Sequence, residues 1–108
     1  MIRARFGYTS DGFIDSFEIS GHSGFAAEGS DIVCAAVSSA AYMCANTLTE
    51  IEGLKPEISE ADGLMKLVLK AEDAKQADML MRGLLLHLEQ LSRQYPDFIK
   101  LERGAKNA

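Results

Sequence analysis

Apolar and polar residues alternate at the start of the chain: Ile2, Ala4, Phe6 and Tyr8 are separated by Arg3, Arg5 and Gly7. A period of two turns one face of a strand to a core and the other to water. Thr9-Ser10-Asp11-Gly12 reads as a turn. Residues 13–20 alternate again, with Phe13, Phe17 and Ile19 on one side, so the two strands are expected to pair as a hairpin. The alternation then stops. Residues 21–30 carry Gly21, Gly24 and Gly29 around His22, Ser23 and Phe25, the composition of a surface loop. Beyond it the period lengthens. Val33, Val37, Ala41, Cys44, Leu48 and Ile51 recur every three or four residues and mark the buried stripe of a helix. Ser30 or Asp31 is its N-cap, and Gly53 and Pro56 end it. Residues 57–60 and 64–70 flank Asp62-Gly63 as a second hairpin. The spacing of Ala77, Leu80, Met81, Leu84, Leu88, Leu91 and Tyr95 predicts a helix over 72–95. Pro96 stops it, and 98–103 form a short last strand. Hairpins joined by helices predict an α+β two-layer sandwich: an antiparallel or mixed sheet of about five strands, with two helices on one face.

Composition narrows the function classes. A chain of 108 residues with 47% hydrophobic content supports one core, so residues 1–108 are expected to form a single domain. The net charge is −5 and no cluster of Lys or Arg stands out, so no direct nucleic-acid contact is expected. The longest apolar runs are 83–86 and, counting Cys34, 32–37. Both fall well short of the ~20 residues that cross a bilayer, so no membrane contact is expected. Arg3 and Arg5 inside alternating apolar residues do not make a signal peptide, and a cytoplasmic location is the expectation.

The chemistry concentrates in residues 21–38, Gly21-His22-Ser23-Gly24-Phe25-Ala26-Ala27-Glu28-Gly29-Ser30-Asp31-Ile32-Val33-Cys34-Ala35-Ala36-Val37-Ser38. A histidine stands on a glycine-rich loop and a cysteine in the first turn of a helix. If Asp31 caps, Cys34 is at about N3, where unpaired N–H groups and the helix dipole favour a thiolate. An imidazole alongside would stabilise that thiolate and later protonate a leaving amine. From the residues alone two readings stand: a nucleophile–imidazole pair, or a small buried cysteine with a solvated loop histidine. Ser38 is one helical turn beyond Cys34 and either supports the sulfur or bonds back to its own helix. Asp31 either caps the helix or orients His22. Asp62 reads as a turn former. Cys34 and Cys44 are ten residues apart, ~15 Å along a helix, so no disulfide joins them. No spacing supports a zinc site, and no Cys-x-x-Cys supports a redox role, so neither metal nor cofactor is expected.

The segment at 21–38 resembles the ribosomal-processing cysteine protease family, Prp. The likeness runs over nearly the whole length and element order, including Tyr95-Pro96 before the last strand. The resemblance implies that His22 and Cys34 are the catalytic pair and that Asp31 and Ser38 support them. It implies a mobile substrate loop holding Gly21, Ser23, Gly24, Phe25 and Gly29, with Phe25 standing where many members have Tyr. It also implies an α+β homodimer whose substrate is a ribosomal protein precursor, the twenty-seventh protein of the large subunit. From that protein a short N-terminal extension is cut after an aromatic residue, as ribosome assembly and function require. Cys34 would attack the scissile carbonyl and His22 would move the proton. The N–H of Cys34, with one from the loop, would hold the oxyanion. Phe25 would either touch the substrate or anchor the loop on the core. Met79 and Leu86, seven residues apart and off the buried stripe, suggest a surface for self-association. The alternative function is a non-enzymatic, ribosome-associated module that clamps a peptide with the same loop.

Overall fold

The computed structural model describes residues 1–27 and 29–106 of the chain. The alternating segments become strands β1 (Ile2–Tyr8) and β2 (Ile14–Ser20), paired antiparallel. The second hairpin gives β3 (Glu57–Ala61) and β4 (Leu64–Val68), and the chain returns through β5 (Ile99–Lys106). The order across the sheet is β3-β4-β2-β1-β5. β5 runs parallel to β1 and every other pair is antiparallel, so the sheet is mixed. β5 extends beyond the short strand expected, because its parallel pairing with β1 continues as far as Tyr8 opposite Lys106.

The period of two decides which face is buried. Ala4 lies opposite Ile19, Phe6 opposite Phe17, and Phe17 in turn opposite Leu67, all in the core. On the other face Arg5 lies opposite Glu18 and Glu18 opposite Lys66. There Glu102 takes ion pairs from Arg3 at 3.5 Å and Arg5 at 3.8 Å. Exposed pairs of this kind stabilise little, but they keep that face in water. One phase changes. A bulge between Gly7 and Tyr8 puts Tyr8 opposite Ile14, so Asp15 is the extra residue. The bulge switches the side to which the strand start points, and Ile14 enters the core in place of the expected Phe13, which is half-buried.

Helix α1 (Ile32–Asn46) and helix α2 (Ala71–Gln94) cover the apolar face. Val33, Val37, Ala41 and Cys44 of α1 meet Ala77, Met81, Leu84 and Leu88 of α2 in the same core as the strands. α1 passes directly into a π turn (Thr47–Ile51), closed by the Glu52 N–H donating to the Thr47 carbonyl at 2.9 Å. Together these 20 residues are long and apolar enough to cross a membrane by length and composition alone. The expectation from unbroken runs missed this, because Ser38, Ser39, Asn46 and Thr47 interrupt the runs without breaking the helix. One side of the helix packs in the core. The π turn also corrects the buried stripe. It adds a residue to the helical repeat and so turns Ile51 outward, leaving it 79% exposed while Leu48 is fully buried.

The packing makes opposite demands of those two side chains. Leu48→Ala is expected to destabilise the fold by about 2–5 kcal/mol, the range for a buried leucine. Ile51→Ala is expected to change it by less than about 0.5 kcal/mol. Urea denaturation of the two variants checks this; equal losses would mean that Ile51 belongs to the core.

Candidate active site

The start of α1 is built by one carboxylate. Asp31 has extended backbone geometry and its Oδ1 accepts the N–H groups of Val33 at 3.0 Å and Cys34 at 2.9 Å. Its Oδ2 accepts the hydroxyl of Ser23 from the glycine loop. The Ser23 bond first, and the Cys34 N–H next, hold the Asp31 carboxyl below its ordinary pKa. Asp31 is thus the cap, of the two roles open to it, and its carboxylate bonds Ser23 and the helix rather than His22.

The same contacts set the loop against the sulfur of Cys34. Ser23 is buried, its N–H points to Cys34 Sγ at 3.4 Å, and its Oγ accepts the Phe25 N–H at 3.0 Å. The sulfur thus receives a backbone N–H and lies in the first turn of α1. The Cys34 N–H is committed to Asp31, so it is not free to hold an oxyanion as expected. From the loop, the Ser23 N–H is directed at the sulfur itself.

Phe25 anchors the loop at its far end. Its ring packs edge-on against Phe98 at 5.2 Å and Tyr95 at 6.0 Å between centroids, although 41% of the residue remains exposed. Gly24 and Gly29 both have positive φ within the loop. Glu28 lies outside the described residues. At the loop's start, Gly21 has φ +87° and a Cβ there would strike the Met1 carbonyl, so only glycine fits.

Cys34, His22 and Ser38 line one cavity of about 230 Å3 between α1 and the hairpin β3–β4. Its other walls include Ile2, Val37, Ala41 and Met65. Ser38 stands one turn along α1 from the sulfur, as its spacing requires. His22 is exposed, and its Nε2 lies 3.7 Å from Asp62 Oδ1. The ring rests on Gly63, whose carbonyl accepts the Gly21 N–H at 2.8 Å. Asp62 and Gly63 carried only a turn signal in the sequence, and nothing local links them to His22, which is forty residues away. At the cavity's rim Tyr42 donates to Glu60 at 2.7 Å, and that carboxylate raises the phenol's pKa. Among the described residues no three His, Cys, Asp or Glu side chains gather as metal ligands. His87, half-exposed by expectation, is exposed beside an apolar groove between α1 and α2.

A thiol at a helix start, an imidazole in the same cavity and a glycine loop that donates to the sulfur are the equipment of a cysteine protease. Known proteins bear this out. The sequence profile of the family described as cysteine protease Prp matches residues 1–100. The ribosomal processing cysteine protease Prp of Bacillus subtilis is 32% identical over 107 residues, covering 94% of this chain and 96% of its own. A crystal structure of the S. aureus ribosomal processing protease Prp with a covalently linked product peptide superposes with a TM-score of 0.88 at 22% identity. That match covers 95% of this chain and 99% of the other and speaks for the fold. A Streptococcus mutans structure superposes with a TM-score of 0.78 at 30% identity, over 97% and 95% of the two chains. The chain belongs to the Prp family of ribosomal-processing cysteine proteases, and it is a peptide hydrolase.

The two thiols differ in access and in surroundings. Cys34 is half-buried at the cavity. Cys44 is fully buried against Met81, and burial, then the Glu52 charge, pushes its pKa up to about 12. Iodoacetamide at neutral pH is expected to label Cys34 faster than Cys44 by about tenfold or more in the native protein, and both alike in urea. Mass spectrometry of the labelled peptides checks this; equal native rates would overturn it.

Proposed function

We propose that this chain removes the N-terminal extension of the twenty-seventh large-subunit ribosomal protein, cutting after an aromatic residue at the end of an apolar stretch. The observation that carries the reading is the cavity shared by Cys34 and His22, with the sulfur at the head of α1. The cavity has room for a large side chain, and Ile2, Ile19, Val37 and Met65 line it, which suits an aromatic group beside the scissile bond. Two relatives support the substrate class: the Bacillus subtilis protein by its ribosomal-processing role, and the S. aureus protein by its bound substrate and product peptides.

The chemistry follows from the placement. Cys34 gives its thiol proton to His22 and its Sγ attacks the scissile carbonyl carbon; a C–S bond forms and the C=O π pair moves onto oxygen. The Ser23 N–H, which donates to the sulfur in the free protein, would turn to that oxygen. When the intermediate collapses, the C–N bond breaks and His22 gives the amine its proton. Water, losing a proton to His22, then attacks the thioester, and the C–S bond breaks to return the thiolate. Asp31 and Ser38 act in support, Asp31 by fixing Cys34 and Ser23 to each other. Gly21, Ser23, Gly24, Phe25 and Gly29 form the loop over which the peptide lies. Such a substrate places the reaction in the cytoplasm, where ribosomal subunits are built.

The enzyme is a homodimer in this reading. Met79 is 86% and Leu86 54% exposed on the outer face of α2. Met79 borders a groove of about 950 Å3, which Met43 and Ile51 of the α1 segment also line. Contiguous exposed apolar surface of this kind marks an interaction site.

Cleavage of a synthetic copy of the ribosomal extension, followed by mass spectrometry, is expected to give one cut after an aromatic residue. Cys34→Ala is expected to abolish it, and His22→Ala to slow it about 100-fold or more, the usual worth of a general acid–base. Undiminished turnover by Cys34→Ala would sink the mechanism. Light scattering at micromolar concentration is expected to give twice the chain mass of 11.7 kDa, and the single chain mass for Met79→Lys combined with Leu86→Lys. A wild-type monomer would refute the dimer.

A further inference from the structure

We propose that Asp62, at the tip of the β3–β4 hairpin, is a positioning residue that holds His22 by Nε2 and so leaves Nδ1 to exchange protons with Cys34. This assignment rests on the proposed role of His22 as proton shuttle. Three contacts tie the hairpin tip to the histidine. Asp62 Oδ1 lies 3.7 Å from Nε2. The imidazole lies flat enough on Gly63 that a Cβ there would come within 2.9 Å of Nε2 and 3.4 Å of Cδ2. The Gly63 carbonyl takes the N–H of Gly21, the residue before the histidine, at 2.8 Å. The tip therefore fixes both the backbone that carries His22 and the plane in which its ring sits.

The carboxylate adds a chemical choice. A neutral imidazole has one N–H and one lone pair, and a carboxylate only accepts. Facing Nε2 at 3.7 Å, the Asp62 charge favours the form with the proton on Nε2, which puts the lone pair on Nδ1. When Nδ1 takes a proton, the carboxylate offsets the imidazolium charge. Asp31, the other carboxylate of the site, is occupied with Ser23 and the start of α1, so it does not compete for this role. The separation is that of an ion pair rather than a hydrogen bond, and the side chains of His22 and Asp62 are 61% and 91% exposed. Water weakens the pair in the free enzyme, and a peptide lying over the cavity would shield it.

Peptide cleavage by the full chain tests the assignment. Asp62→Ala is expected to lower kcat about 2- to 5-fold with KM little changed, the scale of an exposed ion pair. Asp62→Asn keeps an oxygen acceptor and is expected to restore most of the loss. Gly63→Ala is expected to lower kcat further by displacing the ring. Gly53→Ala, at the same φ of +69° but in open space, is its control for backbone strain. Nitrogen NMR of the His22 ring, in a His87→Gln background, reads the tautomer without turnover. The Nε2-protonated form is expected to dominate, and Asp62→Ala to raise the Nδ1-protonated fraction. Unchanged tautomers in Asp62→Ala would overturn the assignment, whether or not kcat falls, and so would unchanged kcat in an active wild type. If the wild type cleaves no such peptide, the substrate reading fails while the ring spectrum still decides the role of Asp62.

Discussion

The carboxylate of Asp31 is the interaction on which the site depends. One of its oxygens ends the helix by taking two N–H groups that the helix cannot satisfy itself. The other holds the hydroxyl of Ser23, a buried side chain that would otherwise lose its partner in a place water does not reach. Because both bonds belong to one group, the loop and the helix start cannot move independently. The Ser23 N–H is thereby brought to the sulfur of Cys34, and the sulfur is brought to the positive end of α1. The pKa of Asp31 is lowered by these same donors, so the group stays charged under the conditions in which it is needed.

The sheet supplies the rest of the frame. Pairing of β4 with β2 sets the tip of the second hairpin beside the start of the glycine loop, where Gly63 meets both Gly21 and the ring of His22. The parallel return of β5 beside β1 sets Phe98 and Tyr95 under Phe25. The loop is thus held at its first residue by the sheet, near its middle by α1, and at Phe25 by the corner between α2 and β5. Between Ser23 and Phe25 the chain turns at Gly24, whose φ is positive. On the same helix two cysteines meet opposite fates. Three turns deeper, Cys44 is sealed among apolar side chains that penalise a thiolate, whereas Cys34 meets donors and solvent.

Much of this was legible in the residues because it is local. Periods of two and of three to four named the strands and helices, and the fold matches the two-layer α+β expectation with its sheet resolved as mixed. A cap at Ser30 or Asp31 was legible because the N–H groups that a cap takes lie within the next three residues. The sequence pattern of 21–38 was specific enough to place the chain in its family. Where local rules competed with geometry, they misled. Ile51 fits the apolar stripe by spacing, but the π turn at Thr47–Ile51 rotates it into solvent. Phe13 fits the alternation of β2, but the bulge opposite Gly7 and Tyr8 gives its core place to Ile14.

Tertiary structure alone decided the surroundings of His22 and Phe25. No spacing within the chain relates Asp62 to His22, or Phe98 to Phe25, because those contacts exist only once β4 has paired with β2 and β5 with β1. The choice between the two roles open to Asp31 was of the same kind. Its position permitted both, and only the direction of its carboxylate, toward Ser23 and α1, selected the cap. Hydrogen bonds within one turn can be read from neighbouring residues; the partner of a loop histidine depends on which strands pair and in what register. The sequence by itself therefore determined the elements, the capped thiol and the family. Strand pairing and packing determined what faces each side chain of the site.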